Sequence, residues 1–573
     1  MRKFSTNKLC LLALCSVINL IGGHIALLFR LPVYLDSLGT VFAAALMGPL
    51  SGMIPGIISN LIGGVTTDIY ALYYLPVQMI TGGIAGLLFQ KISFHERKRL
   101  IKILLGAGIV SIPGTVISSS ITAIVFGGIT SSGSTLLVQL LHHLGLGLTA
   151  SVCIVQGLTD YAGMMRVVQA YAVQMLTDVY GPVAYTSCIE DPTNGASFSY
   201  DTQQSIYNSI FELLDKALQD FQSPKSTLEE RQSFDYWCNG DLDMWIQVAN
   251  QLKLRAALRI VKADPTLAKQ KAEEAAKGAI LKQDVLINKS LSNEQTRMFE
   301  WGDSGMNANL TTILEGFQDP RLPLYMTKNQ ADVECEDGKT IASGTQYLGI
   351  RGGCDLPAKP NQWGNFSKIV CSYTTALPVM MAAEGYFLRA EGALRGWSNM
   401  GGTAKELYEQ GIRVSIKNQL AYKGSLAGVS SISETEIDAY ISGTTTQKDF
   451  VDPVNGQNSI KAQNDITVKW DESATNEKKL QRIITQKWIA NFPLSCEAWA
   501  EFRRTGYPKL FPNRVNKSNG DIDTNEQVRR LLYSDNEDNT NTVEYQKGIE
   551  LLNQENTGSI SGDKGGTHVW WDK

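Results

Sequence analysis

The sequence predicts a mainly α-helical protein in two unlike parts. The first is an N-terminal multi-span transmembrane helical domain over residues 1–165; the second is a helical domain with long loops over residues 166–573. Three observations predict this. Charge breaks near residue 165: the first part holds nine of the 52 Lys+Arg, four of the 56 Asp+Glu and none of the ten Trp. That leaves the parts at net charges of about +5 and −9. Long apolar runs fill the first part, whereas apolar residues of the second recur at helical spacing between polar stretches. A length of 573 residues also exceeds what one hydrophobic core usually serves.

Composition excludes several functions. The second part is acidic and would repel phosphate, so no nucleic-acid partner is expected. Nine Cys are scattered without a CxxC pair, which removes the usual zinc and thioredoxin-like spacings and favours free thiols. Of five His, only His568 lies in the second part, so a Ser/His/Asp triad there would have to use it. Acids abound, yet no pair is marked for hydrolysis. No catalytic residue, metal or cofactor is expected.

In the first part, Leu9–Phe29 is long enough to cross a ~30 Å hydrocarbon core. It is too long for a signal-peptide centre. Apolar runs follow at Leu38–Leu50, Met53–Ile62, Ala71–Phe89 and Ile103–Phe126. Gly48, Gly52 and Gly56 recur every four residues, as do Gly82 and Gly86, a spacing that lets helix backbones approach closely. Arg2, Lys3 and Lys8 and the basic loop 91–102 would lie on one, cytoplasmic, side. Lipid is the partner these spans imply, and the inner membrane their location.

The stretch FRLPVYLDSLGTVFAAALMGPLSGMIPGIISNLIGG (29–64), followed by YYLPVQMITGGIAGLLF, resembles the substrate-capture (S) component of energy-coupling-factor vitamin transporters. Such proteins have six helices, bind a small vitamin or metal, and work with a membrane coupling subunit and two ATPases. Asp36 and Asn60 are the membrane-cavity candidates, because polar groups near a lipid interior face a cavity or a partner; helix capping is the competing reading. The segment 156–164 resembles the lead-in to a last span, which does not follow unless Leu136–Val155 crosses instead.

The second part opens with 166–185, an amphipathic helix stopped by Gly181-Pro182. Residues 200–221 start at Asp201 as N-cap and carry Ile206, Ile210, Leu213/Leu214 and Leu218 down one face. A third helix, 242–261, ends before Asp264-Pro265. Helices over 380–396 and 404–422 pair around GWSNMGG and resemble tetratricopeptide repeats without a strict 34-residue period. Between helices run polar loops at 284–310, 327–376, 424–465 and 505–573, a length that is uncommon unless loops carry function. Their flat aromatic rings suit the CH faces of sugars, and Trp301, Trp363 and Tyr373 are the ligand-binding candidates; pinning loop to scaffold is the alternative for each.

Six motifs then occur in order: LTDVYGPVAYT (176–186), GDLDMWIQVANQLKLRAALRI (240–260), DPRLPLYM (319–326), AAEGYFLRAEGALRGW (382–397), QKWIANFPLSCEAWAEFRRTGYPKLFP (486–512) and THVWWDK (567–573). Together they resemble the SusD/RagB family of nutrient-binding outer-membrane lipoproteins. The resemblance implies a helical protein at the cell surface that holds an oligosaccharide or other nutrient unchanged and caps a SusC-like TonB-dependent channel. Within the fifth motif, Trp488, Phe492, Trp499 and Phe502 read as the core of one packed helix, with Arg503 and Arg504 fixing the next loop. Family members begin with a lipidated Cys and further helices, which the first part replaces here. A join of two truncated genes is the leading account of that replacement; the alternatives are a true fusion that anchors a glycan-binding domain to a membrane, and a membrane-embedded substrate-capture subunit for a vitamin-like solute that carries an extra domain. Function is therefore assigned from the longer part.

Overall fold

The computed structural model describes residues 6–28, 37–66, 75–91, 159–190, 197–222, 228–287, 304–358, 361–372 and 374–573. The chain divides into two compact units, Met1–Gln156 and Gly157–Lys573.

The first unit contains α1 (Thr6–Leu28), α2 (Leu38–Met47), α3 (Pro49–Thr66) and α4 (Leu75–Lys91). Its glycines set the helix spacing: a Cβ on Gly52 would sit 2.5 Å from Ala44 Cβ, and one on Gly86 2.4 Å from Pro49 Cα. Backbones this close leave no room for a side chain. Between the helices lies a polar cluster. Buried Asn19 accepts from Gly39 N at 2.7 Å and donates to Thr40 Oγ1 at 2.8 Å, and Thr40 donates to Gln78 Oε1 at 3.2 Å.

The expected multi-span transmembrane domain is corrected here. Among the described residues, no helix is long and apolar enough to cross a membrane. At about 1.5 Å per residue, the 10 residues of α2 and 17 of α4 fall short of a ~30 Å core. Pro55 lies inside α3, and Ser16 and Asn19 sit mid-way along α1. Hydropathy counted over runs joined stretches that the backbone divides at Gly48. The runs Ile103–Phe126 and Leu136–Val155, and Asp36, lie outside the described residues. Asn60 is buried within α3.

The second unit is built from paired helices. Its first half comprises α5 (Thr159–Tyr180), α6 (Thr186–Glu190), α7 (Gln203–Asp220), α8 (Leu228–Gln232), α9 (Leu242–Arg259), α10 (Pro265–Ala275), β1 (Val285–Ile287), α11 (Ala308–Phe317) and α12 (Leu322–Tyr325). After β2 (Val333–Glu334), β3 (Thr340–Ile341) and β4 (Leu377–Met380) come α13 (Ala382–Leu394), α14 (Ala404–Ala427), α15 (Glu434–Ile441), α16 (Asn476–Ala490), α17 (Ser495–Thr505), α18 (Asp535–Thr540) and α19 (Thr542–Glu555). Helix α5 packs on α7, α9 on α10, and α13 on both α14 and α16. Strand β1 pairs antiparallel with β4, and β2 with β3.

Periodicity explains the pairs. On α7, Ile206, Tyr207, Ile210, Phe211, Leu214 and Ala217 are buried in one core with α5, α9 and α10. A second core gathers α11 to α16 around Phe387, Tyr408, Ile412 and Ile483. Helix α5 runs across the compositional break at residue 165 and ends at Gly181, whose φ of +82° places it in the left-handed region glycine tolerates.

Local differences from expectation have local causes. Thr202, not Asp201, caps α7, accepting from Ser205 N at 3.2 Å; Asp201 instead accepts from Tyr185 N and Thr186 N. The segment 486–505 forms two helices, because Pro493 cannot donate into a continuing helix. Helices α15, α18 and α19, with the last turn of α14, occupy stretches expected as loops.

Glu555, at the end of α19, accepts from Gln203 N at 3.4 Å. Burial outweighs these backbone donors and pushes its carboxyl up to about 7. The native state therefore holds a proton that the unfolded chain has released by about pH 5. Stability from this group is full below the unfolded value and is lost as pH rises toward 7. We expect Glu555→Gln, which keeps an acceptor without the charge, to gain about 1–2 kcal/mol over the parent between pH 5 and pH 8. Urea denaturation at those two pH values measures it, and parallel pH profiles would reject it.

Candidate ligand-binding loops

Three segments zip together beside α11. Met306 N donates to Ser367 O at 3.0 Å, Ile350 N to Met306 O at 2.7 Å and Ala308 N to Ile350 O at 2.9 Å. Asn329 fixes the neighbouring turn: its Nδ2 donates to Ala331 O and Ala342 O, and its Oδ1 accepts from Thr345 N and Gln346 N. Every polar atom of that buried amide is used, which makes a long loop behave as a fixed layer.

Trp363 lies inside this layer, packed with Val333, Leu348 and Phe366 at 7% exposure. Its Nε1 donates to Asp452 Oδ2 at 3.0 Å. Asp452 also accepts from Asn458 Nδ2, Val454 N and Asn455 N, so one carboxylate ties residues 361–366 to 452–458. The ring is thus a tie between two loops. Trp301 and Tyr373 lie outside the described residues. Among what is described, Lys368 Nζ donates to Ser304 O at 2.5 Å, joining the two segments that lead to those positions.

Sequence reasoning missed the support beneath. Tyr422 donates to Ala376 O at 2.5 Å and Lys423 Nζ to Val370 O at 2.9 Å, so neighbouring residues of α14 hold both ends of 370–376. Burial strips water from the Lys423 ammonium and lowers it to about 8. Ser415, Gln419 and Lys423 recur every four residues on a buried helix face, a pattern that in sequence looks like a solvated stripe. Arg351 binds Asn458 O and Pro512 O and fastens a third loop to the layer.

Elsewhere in the second unit, charged side chains are buried together. Arg255 grips Glu384 in a two-point contact, Lys487 reaches Glu384, Glu497 and Glu501 at 3.2–3.3 Å, and Arg504 binds Glu391 and Glu501. Arg503 donates to Asp178 O and Arg529 O, each at 2.7 Å, and so fixes the following loop as expected. Arg504 serves the core instead. Among the described residues, no group of three or more His, Cys, Asp or Glu is placed to hold a metal.

Paired helices that carry a hydrogen-bonded loop layer define a helical scaffold with long ordered loops. Residues 155–572 match the family model described as Susd and RagB outer membrane lipoprotein, and the chain belongs to this SusD-like family. Residues 7–170 match the ECF transporter substrate-specific component. A chitin-binding SusD homolog from Flavobacterium johnsoniae is 37% identical, with a TM-score of 0.62 over 72% of this chain and 81% of that one. SusD homologs from Bacteroides thetaiotaomicron and Bacteroides ovatus are each 31% identical, with TM-scores of 0.62 and 0.63. They cover 71% and 72% of this chain and 80% and 82% of their own. No curated protein matches the chain.

Proposed function

We propose that the second unit binds an oligosaccharide at the cell surface, leaves it chemically unchanged, and passes it to a SusC-like TonB-dependent channel. Membership of the SusD-like family supports this reading. The contact between Ser304 and Lys368 draws together the segments leading to Trp301 and Tyr373, our proposed stacking rings. Trp363 supports ligand binding by holding the layer.

The first ligand to test is a chitin oligomer, because a 37% identical relative is chitin-binding. Calorimetric titration of the full chain is expected to show binding, with the recovered oligomer of unchanged mass. Shortened products would overturn the non-catalytic reading. Trp363→Phe keeps most of the packing but removes the donor to Asp452. It is expected to cost about 1.5–3 kcal/mol of stability, the range for a hydrogen bond to a charged partner, and to weaken the oligomer. A variant with parent-like stability and affinity would show that the tie does not matter.

A second reading attaches to residues 7–170, favoured by the buried cluster of Asn19, Thr40 and Gln78. Such a cluster can hold a small vitamin-like solute, with Asp36 and Asn60 as further candidates and an energy-coupling-factor coupling subunit as partner. Native mass spectra of the full chain with a vitamin mixture test it, and absence of any retained solute counts against it.

A further inference from the structure

Two arginines of the loop layer stand without a counter-charge. Arg351 donates from Nη1 to Asn458 O at 2.9 Å and from Nη2 to Pro512 O at 2.7 Å. Arg514 donates from Nη1 to Asn458 Oδ1 at 3.1 Å and from Nη2 to Gln457 Oε1. Asn458 thus takes a hydrogen bond from each of two guanidinium groups. The Nε of Arg351 has no acceptor although the side chain is only 7% exposed, and among the described residues neither arginine forms an ion pair. Close backbone approach holds the two loops together: Val515 N donates to Gly353 O at 2.8 Å, and a Cβ on Gly353 would lie 2.3 Å from Asn513 Oδ1.

The carboxylates of the same loops are engaged elsewhere. Asp452 serves Trp363, Asn458 and two backbone N–H groups, Glu336 accepts from Gly456 N at 2.6 Å, and Asp355 pairs with Lys517 at 2.9 Å. Burial pushes the Cys354 thiol up, so it is neutral at neutral pH and supplies no charge. Burial also lowers the Arg351 guanidinium, and the charge of Arg514 adds to that. A tie between loops needs donors, not two net charges; neutral amides would bridge the same oxygens. The charge is therefore what the tie leaves unexplained. A planar guanidinium with spare donors and no carboxylate partner is suited to an oxyanion.

We propose that the loops around Asn458 take an acidic saccharide, whose oxyanion, a carboxylate or a sulfate ester, seats on the exposed fork of Arg514 in the field of Arg351. The proposal rests on the glycan-binding reading and adds a chemical class to it. Because the unit as a whole is acidic, the attraction is local and favours one or two acidic groups over a dense polyanion.

The test is calorimetric titration of the full chain with three tetrasaccharides that share N-acetylglucosamine: hyaluronan, which bears carboxylates, chitin carrying one 6-O-sulfate, and neutral chitin. At least one acidic tetramer is expected to bind about tenfold tighter than chitin, the scale of one charge-assisted hydrogen bond. Arg514→Gln, which keeps an amide donor and removes the charge, should cancel that margin and leave chitin unchanged; Arg514→Lys should keep part of it. Whichever acid profits identifies the oxyanion. Arg514 is exposed, and an unchanged urea midpoint would show that the variants are folded. Acidic tetramers that bind no tighter than chitin, or a margin that survives in Arg514→Gln, overturn the proposal. Binding of none of the three would strike the glycan reading and the saccharide with it, and inorganic sulfate at fixed ionic strength would then judge the arginines alone. A sulfate-dependent rise in melting temperature that Arg514→Gln loses would keep an anion site there; no rise, or one the variant retains, would overturn that as well.

Discussion

Glu384→Gln is expected to destabilise the second unit by about 3–5 kcal/mol, the cost of leaving buried cations without their counter-charge. Glu384 is fully buried; its carboxylate takes Arg255 Nε at 2.8 Å and lies 3.3 Å from Lys487 Nζ. Burial alone would raise this acid, but Arg255 and then Lys487 outweigh it and hold the carboxyl near 2. The sign follows. Stabilisation from Glu384 is present above the unfolded value of about 4.5 and is lost as pH falls toward 2. Denaturant melts at neutral pH should show the full deficit, and acid titration should show a shallower loss in the variant than in the parent. Equal stability at pH 7 would mean that the neighbouring carboxylates absorb the charge. Glu391 and Glu501 are also held low, against burial, by Arg504, so the acid sensitivity of the core is shared.

Trp571→Ala is expected to cost a further class of stability, about 3–5 kcal/mol for emptying a buried aromatic site. The ring is fully enclosed, with the Arg259 and Arg503 guanidinium groups 5.3 Å and 4.7 Å from its centroid. Its backbone N–H donates to Gln203, and the next residue, Asp572, pairs with Arg529. The substitution therefore opens a cavity and loosens the anchor of α7, α9 and α17 at once. A fall in the urea midpoint, with an unchanged slope, is the expected signature. Retention of the parent midpoint would place the tail outside the cooperative unit.

Helix pairs of the second unit were legible because their apolar residues recur at one period and their ends carry caps and glycines. Helix α7 shows both, with Ile206 and Ile210 inward and only the cap displaced from Asp201 to Thr202. Helices α18 and α19 escaped notice because few of their residues are buried, so no stripe marks them. In the first unit the error was one of scale. Summed hydropathy near Gly48, Gly52 and Gly56 resembles lipid-crossing sequence, whereas Gly48 ends α2 and Gly52 and Gly56 let neighbouring helices interlock. The ring at Trp363 illustrates the limit for the site: a sequence shows an aromatic in a polar loop, but only Asp452, 89 residues later, shows that it faces inward.

The enclosed Trp571 also bears on the order of events during synthesis. A ribosome completes α5, α7 and α9 long before it reaches the residues that fill the space among them. Until residue 571 emerges, Arg259 has no Trp571 indole to stack on and Gln203 has no Trp571 N–H to accept, whereas Arg503 already has the nearer ring of Trp499. The native contacts that Arg259 and Gln203 make with Trp571 can thus close only once residue 571 has been made, about 300 residues after α9.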